Sequence, residues 1–377
     1  MSGPSKLARM DWPLLFIAIL LCGIGLVNVY SGTRVHGGAA SALFAKQFLW
    51  IALGLGVFFA TYYLSDGFIE EATPGYAILI LVLLVIVLAV GQIRGGAQRW
   101  ISLGGFNLQP SEFAKIGVVL MLARYYSSKY QYGGIGLADT LPAIGMVLVP
   151  FLLVALQPDL GTAGVLLFIL AGMSVIACVK GWLLGLFAFL GSAAIPALWY
   201  FMKDYQRQRV ITFLDPERDP LGAGYHVIQS KIAVGSGGIL GKGYLQGTQG
   251  ALRFLPEKHT DFAFAVFSEE WGFLGSALLL LLFALLVRRL FHLAIRSQDR
   301  FASFACGGVA VYFLTHTVIN LAMVCGLFPV VGIPLPFVSY GGSSMLTNML
   351  ALGMVANLSR SRFTFQGGGT RGQELSS

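Results

Sequence analysis

The chain has 377 residues, 56% hydrophobic and only 11% charged, with a mean hydropathy of +0.76. Soluble domains carry about 25% charged residues, so a water-soluble globular fold is excluded and an integral membrane protein is expected. The net charge of +8 then reads as positive-inside bias and attraction to anionic lipid, not as a nucleic-acid footprint.

The basic start, with Lys6 and Arg9, resembles a signal peptide's first region. No small-residue cleavage site follows, and nine further apolar runs do, so the first run reads as a retained helix. A bilayer core of about 30 Å needs roughly 20 apolar residues per helix. Ten segments qualify: 13–31, 45–64, 75–92, 110–126, 139–156, 162–179, 182–202, 262–290, 302–326 and 340–359. The expected architecture is an all-α integral membrane protein of about ten transmembrane helices, forming a single polytopic domain over 1–362. A large extracytoplasmic loop, 203–261, separates the seventh and eighth helices, and the Gly-rich tail 363–377 is expected to be a disordered cytoplasmic segment. Lys and Arg gather in the even-numbered connections and at both ends, which places both termini in the cytoplasm. No series of alternating ten-residue strands is present, which excludes a barrel. Cys22, Cys178, Cys306 and Cys325 lie singly in apolar runs, a spacing that supports neither a disulfide nor a zinc site.

The third connection is polar, with Arg94 and Arg99, and leads into Gln109-Pro110-Ser111-Glu112. Glu112 and Lys115 share a face of the next helix's opening turn and can pair. Two readings stand: a capped helix start with a snorkelling lysine, or a functional pair, because charges inside a membrane are site hypotheses. Asp159, between the fifth and sixth segments, can cap the sixth, yet puts a carboxylate on the same outer side. Ser343, in Ser339-Tyr340-Gly341-Gly342-Ser343-Ser344, opens the last segment there. Small residues at that point serve close packing or offer helix N–H groups to an anion. The glycines of 235–243 lack Walker spacing, since Ser236 and Gly243 stand where the pattern needs Gly and Ser or Thr.

The polar loop begins with Arg207 and Arg209, reads as consecutive turns over 214–226, and continues into a short amphipathic helix at 228–234 that contains Lys231. It ends Pro256-Glu257-Lys258-His259-Thr260-Asp261, more than a helix cap requires. The eighth segment is longer than a bilayer core, so its first two turns should protrude. Glu269 and Glu270 are therefore expected near the hydrated surface. An outer cavity with one carboxylate, several cations and access to lipid suits a substrate with an anionic head on a greasy tail.

These residues resemble the SEDS proteins (shape, elongation, division and sporulation) of bacteria. The likeness rests on Arg99-Trp100-Ile101, Gln109-Pro110-Ser111-Glu112, Gln157-Pro158-Asp159-Leu160-Gly161, Pro256 to Phe262 and Pro336 to Ser344, and spans nearly the whole chain. Within the family, the segments 204–210 and 241–249 look like the rod-shape branch. The resemblance implies a peptidoglycan glycosyltransferase of the bacterial cytoplasmic (inner) membrane that polymerises lipid II at the outer leaflet during cell elongation. It also implies a class B penicillin-binding protein as transpeptidase partner within the elongation machinery, and an essential role for Asp261, with Glu112, Lys115 and Asp159 also implicated.

On that reading Asp261 is the general base, and Arg99, Lys115, Arg207, Arg209, Lys231 and Lys258 are candidates for holding the pyrophosphate. Glu112 would set Lys115 in place. No cofactor is required by the sequence, although a divalent cation could share the pyrophosphate. The rival readings are a flippase for the lipid-linked precursor, which predicts polar groups through the bilayer depth, and an inert scaffold.

Overall fold

The computed structural model describes residues 6–33, 42–65, 67–94, 97–103, 106–130, 134–201, 204–216, 223–248 and 259–360. Among them the elements run α1 (Trp12–Thr33), α2 (Ala42–Tyr62), α3 (Phe68–Val90), β1 (Gln92–Arg94), β2 (Ala97–Leu103), β3 (Phe106–Leu108) and α4 (Pro110–Lys129). They continue with α5 (Leu137–Leu156), α6 (Leu160–Ile176), α7 (Gly181–Phe201), α8 (Asp204–Leu214), α9 (Ala223–Ser236), α10 (Ala263–Arg296), α11 (Arg300–Val324) and α12 (Gly342–Leu358). Among the described residues six helices, α1, α2, α3, α5, α10 and α11, are long and apolar enough to cross a membrane. The protein is an α-helical, multi-pass membrane protein.

Hydrocarbon cannot hydrogen-bond a peptide group, so chains that cross it satisfy their backbone internally, as helices do. What remains is which side each helix turns inward. In α11, 72% of the most apolar window is buried, and α4 and α12 are also covered along most of their length. These three helices form the centre. α11 packs on α4, α6 and α10, while α12 packs on α2. Most described side chains of α7 face outward, as suits a helix wetted by lipid.

The ends of the helices carry identifiable stops. Pro110 opens α4, where its missing N–H is no loss. Asp159 caps α6 by accepting from Thr162 N at 3.2 Å, and Asp299 caps α11 by accepting from Ala302 N at 2.8 Å. At the end of the bundle formed by the finish of α2 and the start of α1, Arg360 and Asn357 donate to the carbonyls of Tyr62 and Leu64. There Arg289 also grips Asp11 through two bonds of 3.0 and 2.7 Å.

The structure departs from the sequence expectations in three places. The third connection holds a small antiparallel sheet, ordered β1-β2-β3, with Gln92 opposite Trp100 and Ile101 opposite Leu108. Among the described residues the loop between α7 and α10 contains two helices, and α9 begins at Ala223, so Tyr225 and His226 are helical rather than in a turn.

The third departure is at the start of α10. Glu269 and Glu270 are 0% and 3% exposed, not hydrated. The helix breaks at Gly272 (φ 64°, ψ −161°), and the glycine-rich turn after α9 docks into the break. Lys242 N and Gly243 N donate to the carbonyls of Glu269 and Glu270, while Phe273 N and Leu274 N donate to those of Gly238 and Ile239. A methyl group on Gly237, Gly241 or Gly272 would overlap backbone atoms across this contact. Close approach is therefore what the glycines supply. Glu269 Oε1 accepts from Lys242 Nζ (2.7 Å), Thr248 N (2.7 Å) and Thr248 Oγ1 (2.8 Å), and Glu270 Oε1 accepts from Ser31 Oγ.

Candidate active site

Four stretches distant in sequence meet where α4, α6, α11 and α12 present their polar ends: the loop after β3, the turn before α6, the segment 259–262, and the chain 329–341 between α11 and α12. Asp261 closes the long loop just ahead of α10 and is half-buried. Its backbone carbonyl accepts from Asn320 Nδ2 at 3.0 Å, and the same amide nitrogen donates to Ile333 O at 2.7 Å. Two residues earlier, His259 O accepts from Tyr340 N at 2.8 Å. The segment is thus pinned on both sides by main-chain contacts.

The chain 331–333 bridges Asp261 to α6. Gly161, two residues past Asp159, lies against Val331. Gly332, at φ 72°, faces the Asp261 carboxylate so closely that an added Cβ would stand 3.3 Å from Oδ2. Ile333 supplies the carbonyl shared through Asn320.

Asp159 is 2% exposed. It caps α6, accepts from Gln109 Nε2 at 3.3 Å and lies 3.5 Å from Arg99 Nη1. Gln109 also donates through its backbone N to Ser343 Oγ at 3.0 Å, and that hydroxyl donates to Asn107 O at 3.2 Å. Ser343 therefore joins the sheet to the start of α12 and is spent on that joint.

Glu112 and Lys115 pair at 2.6 Å and are buried, Lys115 to 1% exposure. Lys115 Nζ also meets His316 Nε2 at 3.0 Å and sits 5.6 Å from the Tyr312 ring centroid. With its donors so engaged, the lysine can act on an anion at this site as a nearby charge rather than as a direct contact.

Of the remaining candidate cations, Arg207 and Lys231 sit at other contacts. Arg207 donates to Trp199 O and Tyr200 O, each at 3.0 Å, and so closes the end of α7. Lys231 is exposed and lies along Gly326 at the end of α11. The side chain of Arg209 and all of Lys258 lie outside the described residues. Arg99 is the expected cation that the structure brings beside a site carboxylate while leaving it partly open, at 17% exposure. Among the described residues no three His, Cys, Asp or Glu side chains gather in a metal-ligating group.

Sequence reasoning missed Tyr312, His316 and Asn320. The signal was present: three polar residues at four-residue spacing inside an apolar segment define one buried stripe. The stripe spans about 12 Å of helix. The polar groups thus extend well below the helix ends that the sequence motifs mark.

A model of the FtsW/RodA/SpoVE proteins, described as cell cycle proteins, matches residues 12–363. The chain is 43% identical over 353 residues to the peptidoglycan glycosyltransferase MrdB of Escherichia coli (strain K12), covering 93% of each sequence. Among solved structures it resembles a chain of a peptidoglycan synthase complex studied for coordination of polymerization and crosslinking, with TM-score 0.78 and 36% identity over 94% of this chain and 99% of that one. It also resembles the rod shape determining protein RodA of Thermus thermophilus, with TM-score 0.70 and 29% identity over 94% and 98% of the respective chains.

Proposed function

The chain belongs to the FtsW/RodA/SpoVE family of cell cycle proteins, and from that premise we propose how it builds glycan. It is a peptidoglycan glycosyltransferase that polymerises lipid II. The acceptor's GlcNAc 4-hydroxyl attacks C1 of a MurNAc that carries undecaprenyl pyrophosphate. The new O–C1 bond forms as the bond from C1 to the pyrophosphate oxygen breaks, with inversion at C1. Asp261 takes the hydroxyl proton, and the lipid pyrophosphate leaves with the electron pair.

The observation that carries this reading is the placement of Asp261. The residue is half-buried, its backbone is fixed by Asn320, and it lies across the 331–333 chain from the Asp159 end of α6. A positioned general base contributes about 10²–10⁴-fold, and fixed backbone anchoring is what positioning requires. Arg99, partly open and only loosely paired with Asp159, is the cation best placed to meet charge growing on the leaving group. Lys115 adds a buried positive charge one helical turn of α11 away from the Asp261 anchor.

The active face is the outer one, both termini are cytoplasmic, and the bilayer is the bacterial inner membrane. The partner is a class B penicillin-binding protein that crosslinks the strands within the elongation machinery. A divalent cation at the pyrophosphate would arrive with the substrate, and EDTA titration of the assay measures its contribution.

The deciding experiment is a glycan-strand gel with purified protein and lipid II, with and without the penicillin-binding partner. Strands formed by wild type and absent with Asp261→Ala support the reading. Lipid II moved across liposomes without chain growth would establish the flippase instead, and inertness in both assays would leave the scaffold.

A further inference from the structure

Three side chains on α11 point into the bundle at four-residue intervals, and all three are fully buried. Two have evident work. Asn320 ties Asp261 to Ile333, and Tyr312 donates from its hydroxyl to Asn348 Oδ1 at 2.6 Å. The middle one, His316, plays no part in the reaction described above. An imidazole buried among apolar helices is costly unless its nitrogens are used, and among the described residues the one side chain bonded to it is Lys115.

The pairing fixes its chemistry. An ammonium has three donors and no acceptor, so His316 Nε2 must accept, and the ring is the neutral form with its proton on Nδ1. Lys115 then meets three different partners: the Glu112 carboxylate at 2.6 Å, the imidazole at 3.0 Å and the face of Tyr312. A lysine has four rotatable bonds and a point charge, so a single carboxylate leaves its head free to pivot. The imidazole removes that freedom.

Glu112 depends on the same contact. Its Oε1 is held by Lys115, while its Oε2 is buried with no hydrogen-bond partner among the described residues. The carboxylate's orientation is therefore set by the lysine, and the lysine's by the histidine. All of this happens one turn along α11 from the amide that anchors Asp261.

We propose that His316 is a positioning residue for glycosyl transfer: its Nε2 fixes the Lys115 ammonium and, through it, the Glu112 carboxylate, in register with the Asp261 anchor. The inference rests on the function proposed above. His316 itself touches no reacting atom.

The test uses full-length protein with lipid II, following strand formation, kcat, KM and melting temperature in one preparation. His316→Leu removes the acceptor while filling the space, and His316→Gln returns an acceptor near the Nε2 position. The expected result for His316→Leu is a loss of about tenfold to hundredfold in kcat, the scale of a small misplacement in a preorganised site. KM should stay within about twofold, and His316→Gln should recover to within about threefold of wild type. Because His316 acts through Lys115, the double variant His316→Leu/Lys115→Met should be no slower than Lys115→Met alone.

Full turnover by His316→Leu, equal losses in the Leu and Gln variants, or losses that multiply in the double variant would each overturn the inference. Should His316→Leu melt too low to assay, His316→Met, which also removes the acceptor, takes its place in the same cycle, and multiplying losses again overturn the inference. A wild type that builds no strands removes the proposed reaction and this inference with it. An active wild type beside an indifferent His316→Leu removes the inference alone.

Discussion

Asn320 holds the backbone carbonyl of Asp261 at 3.0 Å from its Nδ2 and the carbonyl of Ile333 at 2.7 Å. One buried amide thus joins the end of the long loop to the chain that follows α11. Replacing it by Leu strands two carbonyls, at a stability cost of about 1–3 kcal/mol per unsatisfied group. The strand-forming rate of Asn320→Leu should fall at least tenfold if Asp261 is the base, because its anchor is gone, and a wild-type rate in the lipid II gel would contradict this.

Asp261→Asn keeps shape and volume but cannot take up a proton. Its expression and melting temperature should match wild type, while glycan synthesis drops by about 10²–10⁴-fold. Measurable strands at the wild-type rate would take Asp261 out of the chemistry.

The Glu112–Lys115 pair predicts an asymmetry in stability. Breaking a buried pair from one side leaves an uncompensated charge and costs about 3–5 kcal/mol. Lys115→Met alone should therefore melt well below wild type. Glu112→Gln/Lys115→Met should regain most of that loss yet remain impaired in synthesis. Thermal melts of the two variants in the same detergent give the comparison.

Gly332 stands at φ 72°, with the Asp261 carboxylate against it. Alanine there meets left-handed strain of about 1–2 kcal/mol and crowds Oδ2. Gly332→Ala should lower kcat more than it lowers stability, whereas Gly326→Ala, which has a similar positive φ but lies away from Asp261, should leave synthesis closer to wild type.

Glu269 is the tether of the 242–248 segment, accepting three bonds at Oε1. Glu269→Ala should release that segment, and limited proteolysis should cut the loop between α9 and α10 several-fold faster. Unchanged cleavage kinetics would mean the backbone bonds across Gly272 suffice.

Much of this molecule was legible in its residues, and the exceptions share a cause. The apolar segments lie on the helices because the bilayer leaves the backbone no alternative. Asp159 was legible as a cap because capping is local, and the Glu112–Lys115 pairing because three residues apart on a helix is also local. Glu269 and Glu270 were misjudged because span length was the only guide. The turn that covers them arrives from residues 237–243 and fits only because Gly272 breaks the helix. The small sheet was missed because two of its strands have three residues each, too short to show alternation. Arg207 looked like a pyrophosphate ligand because a sequence cannot reveal that the carbonyls of Trp199 and Tyr200 stand within its reach.

The stripe on α11 has a mechanical consequence. Asp261 and Lys115 each contact α11, at Asn320 and His316, although their own backbones belong to the segment before α10 and to α4, so a shift of α11 along its axis strains both contacts at once. Asp159 and Arg99 are fastened elsewhere, to α6 and the sheet. The Asp159–Arg99 pair, on its separate mount, is untouched by such a shift, so the two halves of the site respond to different helices.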